Sequence, residues 1–598
     1  MMSATGTIGA EPAGQPILRH LLLAWLAACL FTLLVHWQAI SDFDLSDPDD
    51  HLRLVQVRDW LAGQSWFDVS QHRLNPPVGG DMHWSRIVDL PLAAGLLLLT
   101  PLLGPYAAET VTLTLVPMLL LGATMTTLAF AVRPLLGPAG AVLTALLVIL
   151  IPSLLHQLGP MRIDHHGWQI AMAALCLLAL VAGQGARSGI LIGLAAAIWV
   201  HVSAEALPYL GAIGALLGFR FLMAEAERPR FVAYLATLAI SSLTLFLATR
   251  PAGEWFVPKC DALSSPFLLA FLVPAAIAAA VALLGIGRSL AGRAVILGCA
   301  GAGAAAALVG TGLGCAGGPF GNLEPIVRDF WYLNVPEGLP IWRQKLPTAV
   351  GIIWTPMVGG IGTWLAWRAA TAEEDAQRWA GIGFLLFTAT GVALLVQRAD
   401  AVAHLYSLPG SGFLLLKLLP RVRALGTAAA RVPLTAAVIL LPSPAPAMVG
   451  AINLMGQREA PTPQGGGNGK TCTSPGGFSG LAQLPPARIL APLDIGPAIL
   501  ASTGHSVMAA GYHRNHEAMR DLITTFFATP DEARGFVGRR GIGLVVYCRN
   551  LSEIDRYLNG APDGFMARLE RDEVPSWLEP VPVRGSSDLR VWRVRGAR

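Results

Sequence analysis

Runs of about 20 mostly apolar residues recur along this 598-residue chain, and that repetition constrains the fold more than any other feature. Roughly 30 Å of hydrocarbon is crossed at ~1.5 Å per residue, so each run is long enough to span a bilayer as a helix. Crossings are expected near 17–37, 110–131, 139–157, 167–184, 188–202, 206–223, 231–249, 265–286, 294–313, 347–367, 379–396, 401–419 and 433–452. Charged residues make up 13% of the chain, about half the ~25% usual for soluble domains. The fold class is therefore a polytopic α-helical membrane protein of about thirteen transmembrane helices.

Residues 88–104 are apolar but left out of the count. Pro91 and Pro101 bracket only about ten residues, too few to span, so a half-helix or interfacial segment inside a long first outer loop is expected. Basic residues then set the orientation, since short cytoplasmic loops carry the excess of Lys and Arg. With the N-terminus inside, Arg133, Arg187, Arg228 with Arg230, Arg288 with Arg293, Arg368 with Arg378, and Arg421, Arg423 with Arg431 all fall in cytoplasmic turns. The first apolar run has no clear small-x-small exit and reads as an uncleaved helix rather than a signal peptide.

The chain changes character after Leu454. A Pro/Gly-rich linker at 455–470 follows the transmembrane domain at 1–454, and residues 471–598 read as a small extracytoplasmic α/β domain. It has strand-like runs at 488–491 and 543–547 and helical periodicity at 515–527 and 551–558. Cys29, Cys176 and Cys299 lie in apolar helices as small buried hydrophobes. Cys260, Cys315, Cys472 and Cys548 fall outside the membrane, where disulfides are permitted with pairing open. The chain carries no P-loop and no zinc-ribbon spacing, which argues against a nucleotide-driven pump. A net charge of +4 without a basic patch argues against a nucleic-acid partner.

Two acidic clusters border the apolar runs on the expected outer face: Asp47, Asp49 and Asp50 in the first outer loop (41–109), and Asp164 with His165 and His166 in the second (158–166). An isolated Asp at a helix start is more often a cap for free N–H groups. Two clusters on one face shift the reading toward a divalent cation, because magnesium and manganese take carboxylate oxygens and manganese accepts imidazole. Other polar groups carry weaker signals. His51, Arg53, Asp59, His72, Arg73, Asp81, His83, Trp84 and Arg86 are expected to form mutual ion pairs in the first loop. His201 and Glu205 flank a helix break, where they either serve a role at membrane depth or are wet. Trp331, Tyr332 and Trp342 fit sugar stacking or an interfacial belt, and 511–516 reads as a capping turn.

At these residues the chain resembles a family. Asp47-Pro48 followed by Arg53 is similar to the DPxxxxR motif of oligosaccharyltransferase catalytic subunits, and residues 159–166 (GPMRIDHH) resemble the second-loop DHH motif of their archaeal members. The resemblance covers roughly residues 17–420. It implies the GT-C glycosyltransferase fold, with thirteen membrane helices, a long first outer loop and an outer C-terminal domain. It also implies a Mg or Mn ion, a polyprenyl-phosphate-linked sugar donor and inversion at the anomeric centre.

Carried over, Asp47 and Asp164 become catalytic carboxylates, and Asp47, Asp164 and His166 the metal ligands. Glu324, in the long outer loop 314–346, takes the place of the acceptor-supporting glutamate, and Arg398 that of the arginine on the donor phosphate. Asp47 acting as a general base, with Asp49 or Asp50 sharing either task, stays open. The chain has no WWDYG motif, which family members use to hold an Asn-x-Ser/Thr acceptor. The expected acceptor is therefore a polysaccharide, a lipid or another protein site. The expected location is a bacterial inner membrane, with the site on the periplasmic side. A lipid-linked sugar transporter or flippase and a non-catalytic envelope assembly protein are the alternatives. The flippase is disfavoured because Asp and Glu concentrate in loops and no repeat relates the two halves.

Overall fold

The computed structural model describes residues 17–45, 47–315, 317–456, 472, 476–549 and 551–596. Among them, eleven helices qualify as membrane spans by length and composition, or twelve if the bent pair Ala428–Leu440 and Ala445–Met455 is one span; the two halves of that pair meet at 92°. This selection omits the 16-residue apolar helix His166–Val181 and counts Pro105–Leu150 once. The helix Pro105–Leu146 is broken at Gly137, whose φ of 69° suits glycine, with Pro134 and Pro138 on either side. The break falls between the expected crossings 110–131 and 139–157.

One expectation is corrected. Residues Arg86–Leu103 form a single 18-residue helix, with Pro91 in its second turn and Pro101 in its last. Each proline forfeits one backbone bond without ending the helix, so the prolines do not bracket a short segment. The helix is long enough to span, yet its surroundings place both ends on one side. Its start is held in the first loop, where Asp89 bonds Arg53 at 2.7 Å. Its end turns back at Gly104, and five residues later Glu109 pairs with Arg58, which also donates to Ala501 O in the C-terminal domain. Five helical residues rise about 8 Å, far less than a bilayer. Setting this hairpin aside, dividing the long helix at Gly137, and counting His166–Val181 and the bent pair once each leaves thirteen crossings.

Glycines let the crossings approach closely. Between helices in lipid there is little hydrophobic drive, so small residues that bring backbones together carry the association. A Cβ on Gly410 in Asp400–Arg423 would stand 2.0 Å from Gly359 O in Leu346–Ala369, and one on Gly362 would stand 2.1 Å from Gly410 O. Gly189 of Gly185–Val202 packs in the same way against Arg230 O of Arg228–Thr249.

The C-terminal domain is a five-stranded mixed sheet: β1 (Arg488–Leu490), β2 (Ser506–Val507), β3 (Leu544–Cys548), β4 (Leu578–Pro580) and β5 (Leu589–Val594), in the order β2-β1-β3-β5-β4. β1 is parallel to β2 and β3, and β5 runs antiparallel to β3 and β4. Helices His516–Phe527 and Ser552–Gly560 match the two periodic stretches of the sequence. The linker expected at 455–470 lies outside the described residues apart from its first two.

The domain is built onto the first loop. Leu74 bridges Val507 at the β2 edge, and the Arg73 guanidinium donates to the carbonyls of Leu500, Thr503 and His505 at the end of a short helix. Leu52, Val55, Leu74 and Trp84 of the loop share one buried cluster with Phe478, Ile489 and Val546 of the domain. Disulfides join Cys260 to Cys315 and Cys472 to Cys548, while Cys29, Cys176 and Cys299 are free. Cys299 is exposed rather than buried, on a helix whose sides face lipid.

Candidate functional site

The two acidic motifs meet. Asp47 is the N-cap of helix Pro48–Leu61, accepting from Asp49 N at 2.9 Å with Pro48 in the first turn. The capping role and the functional reading thus coexist at one residue: one oxygen caps, and Oδ2 lies 2.9 Å from Arg162 Nη1. One turn on, Asp50 is fully buried and accepts from the backbone N–H groups of Ile163 and Asp164 at 2.8 and 3.0 Å. These bonds staple the second-loop motif to the first helix of the first loop. Arg162 completes the junction, reaching Asp50 Oδ2 and Asp164 Oδ2 at 2.8 Å each and Gln157 Oε1 at 3.0 Å.

Three carboxylates around one guanidinium divide the charge unevenly. Burial, with the charges of Asp164 and Asp47, pushes the Asp50 carboxyl up to about 8 against the pull of Arg162 and the Ile163 N–H. Asp164, equally buried, is held well below the usual carboxylate range by Arg162 and the two histidines. Of these two buried carboxyls, Asp164 is the one held ionised.

Asp164, His165 and His166 offer ligand atoms that all lie within 4.8 Å of one another, and His165 Nδ1 has no hydrogen-bond partner among the described residues. That donor set fits a divalent cation, and its two imidazoles suit manganese or zinc better than magnesium. Gln169 fixes His166. Trp199 Nε1 donates to its Oε1, its Nε2 donates to Glu205 at 2.8 Å, and the same amide sits 3.2 Å from His166 Nδ1. With Nδ1 accepting, His166 Nε2 faces Asp164 at 3.8 Å, and an ion taken there displaces its proton. Asp47 meets Asp164 only through the shared Arg162.

Arg398 stands on the far side, bonding Glu205 at 3.4 Å and Glu337 at 2.9 Å. Asp49 senses Asp47, Asp164, Glu337 and Arg398 together, which places all five in one electrostatic neighbourhood; burial, then Asp47, raises its carboxyl well above the ordinary range. Tyr512 reaches in from the C-terminal domain, its hydroxyl 3.3 Å from Pro48 O.

Glu324 lies elsewhere. It precedes Pro325–Phe330 without a side-chain capping bond and pairs with Arg520 of the domain at 2.8 Å, with His516 at 3.9 Å. The long-loop glutamate that joins the Asp47 and Arg398 neighbourhood is Glu337, which loop order alone did not single out. Arg162 was also missed as a site residue; its signal was a cation within the second-loop motif, two residues before Asp164. Arg53 of the DPxxxxR pattern is a buried strut, bonded to Asp89 and packed 4.6 Å over the Trp84 ring. The loop ion pairs form with partners outside the expected set rather than mutually: His72 pairs with Asp68 at 2.7 Å, Arg86 with Asp89 at 3.3 Å, and Asp81 with Arg514 at 3.1 Å.

Neither a protein-family model nor a curated protein matches the sequence. The structure is similar to the archaeal oligosaccharyltransferase AglB from Archaeoglobus fulgidus, solved with an inhibitory peptide and a dolichol-phosphate. The TM-score is 0.64 at 15% identity, covering 96% of this chain and 74% of that one. An oligosaccharyltransferase of the same organism matches in its apo form with a TM-score of 0.62 at 15% identity, covering 96% of this chain and 74% of that one. It also matches in complex with zinc and sulfate, with a TM-score of 0.57 at 15% identity, covering 92% and 70%. The likeness shows the fold. This chain shares the fold of these oligosaccharyltransferases and carries a C-terminal α/β domain.

Proposed function

We propose that the chain is a membrane glycosyltransferase that moves a sugar or glycan from a polyprenyl-phosphate-linked donor to a polysaccharide, lipid or protein acceptor, with inversion. The observation that carries this is the convergence of Asp47 and Asp164 on one guanidinium, in a neighbourhood that also holds Arg398. An apolar groove of about 570 Å³ supports it. The groove starts at Leu207, two residues beyond the Glu205 that bonds Arg398, and continues past Gly211, Phe231, Phe271 and Leu308. A polyprenyl tail in that groove would present its phosphate to Arg398.

Asp164, His165 and His166 would hold a divalent cation, Mg or Mn in this reading, which when bound supplies positive charge to the departing phosphate. Arg398, steered by Glu205 and Glu337, orients the phosphate. Arg162 keeps Asp47 and Asp164 at a fixed spacing. Asp47, with 29% of its side chain exposed, is the carboxylate that faces an incoming acceptor, and it would take the acceptor's proton or orient its nucleophile. Glu337 takes the acceptor-side place first given to Glu324. Arg133, Arg187, Arg228, Arg230, Arg288, Arg293, Arg368, Arg378, Arg421 and Arg423 fall in the alternate turns, which supports an orientation with the site and C-terminal domain on the extracytoplasmic side, the periplasmic one if the membrane is a bacterial inner membrane.

The test uses the full-length protein in lipid nanodiscs, loaded with a polyprenyl-phosphate-linked sugar, and follows release of the polyprenyl phosphate. D47N and D164N are expected to fold with unchanged melting temperature to within a few degrees and to lose about 10²-fold or more in turnover. Unaltered turnover in both variants, or donor flipping without bond cleavage in the wild type, would overturn the assignment.

A further inference from the structure

A second ligand cluster lies outside the site. Three segments meet at it: the first loop through His83, the loop between Arg228–Thr249 and Ser265–Leu284 through Asp261, and the C-terminal domain through His513. Their ligand atoms all lie within 4.8 Å of one another. Asp261 Oδ2 is 2.7 Å from His513 Nε2, and the His83 and His513 rings are 5.2 Å apart. No hydrogen bond joins the ring nitrogens of His83 to another described residue, and its ring neighbours those of Trp84 and His513.

We propose that His83, Asp261 and His513 form a zinc site that latches the C-terminal domain to the first loop. Two imidazoles and one carboxylate are a zinc donor set, with water completing the tetrahedron. The groups around it have the form of an outer shell. Arg514 grips Asp261 through Nε and Nη2 at 2.7 and 2.8 Å and so aims the carboxylate. Asp261 follows Cys260, tied by its disulfide to Cys315. Phe320 lies edge-on to His513 at 5.0 Å, shielding one side from water.

The charges balance before an ion enters: Asp81, Glu254 and Asp261 against Lys259, Arg514 and Arg250, whose guanidinium bonds the His83 carbonyl. Donors in a tetrahedron of ~2 Å bonds stand about 3.3 Å apart, so His513 and Asp261 part by well under 1 Å and the proton between them leaves.

The experiment measures zinc per chain in the full-length protein, purified in lipid nanodiscs and dialysed against zinc chloride. The variants are H83A, H513A and D164N. H83A removes a ligand that makes no hydrogen bond, so it keeps the fold even if H513A does not. The wild type is expected to hold one zinc more than H83A, a zinc that D164N retains, and cobalt in its place adds the intense d–d absorption of a tetrahedral site in wild type and D164N but not in H83A. Equal zinc in wild type and H83A, or zinc lost wholly in D164N and not in H83A, would overturn the latch and leave Asp261 as an ion-pair partner only. Zinc lost in H83A with turnover unchanged in D164N would instead uphold the latch and sink the glycosyltransferase reading.

Discussion

At the residue scale, two buried carboxylates in this chain gather backbone N–H groups from distant segments. Asp50 is spent on architecture, accepting two backbone N–H groups and an arginine so that two distant loops share one face. Glu553 does the same within the C-terminal domain, accepting from Leu493 N and Asp494 N at 2.9 Å each and from the Tyr557 hydroxyl at 3.1 Å. Burial, then the charge of Asp494, pushes Glu553 from an ordinary 4.5 up to about 8. Between those values the folded chain keeps a proton that the unfolded chain has lost, so stability falls as pH rises through that window. In E553Q that part of the slope is absent. Melting curves of wild type and variant from pH 5 to pH 8 check this, with the variant's melting temperature expected to vary less.

At the element scale, the spans are held by glycines that sequence reading passes over as merely small. Gly410 and Gly359 bring two helices to backbone contact, and any Cβ at Gly410 meets a carbonyl that cannot swing aside. G410A is expected to destabilise the protein by about 1–3 kcal/mol, seen as a lowered thermal midpoint in nanodiscs, while alanine at lipid-facing Gly298, with open space around it, leaves the midpoint unchanged. The helix Arg86–Leu103 teaches a related lesson. Its prolines marked a broken segment in the sequence, yet the chain absorbs them because the flanking turns are pinned by the Arg53–Asp89 and Arg58–Glu109 pairs.

At the scale of the whole molecule, the C-terminal domain is fixed to the first loop. The chain ties them with a shared core, the Leu74 bridge, and the Arg73 guanidinium on three carbonyls. R73A is expected to cost about 2 kcal/mol and to loosen this docking. Limited proteolysis would show it as faster cleavage in the 471–598 region, with the membrane helices intact. Tyr512, which touches the first loop beside Asp47, would then be displaced with the domain.

The sequence by itself determined the membrane class, the number of crossings, the α/β character of the C-terminal region and the two motifs, because each is a local signal: apolar length, periodicity, a short pattern of acids and imidazoles. It also singled out Arg398 by position along the chain, and the structure sets that residue against Glu205 and Glu337. Only the tertiary structure decided that Arg162 binds the two motifs together, that Glu337 rather than Glu324 shares their neighbourhood, and that His83, Asp261 and His513 meet. Those choices depend on which loops the helix packing brings to one rim, and a loop's direction is set by long-range contacts such as Arg73 on the domain, which leave no periodic trace in the chain.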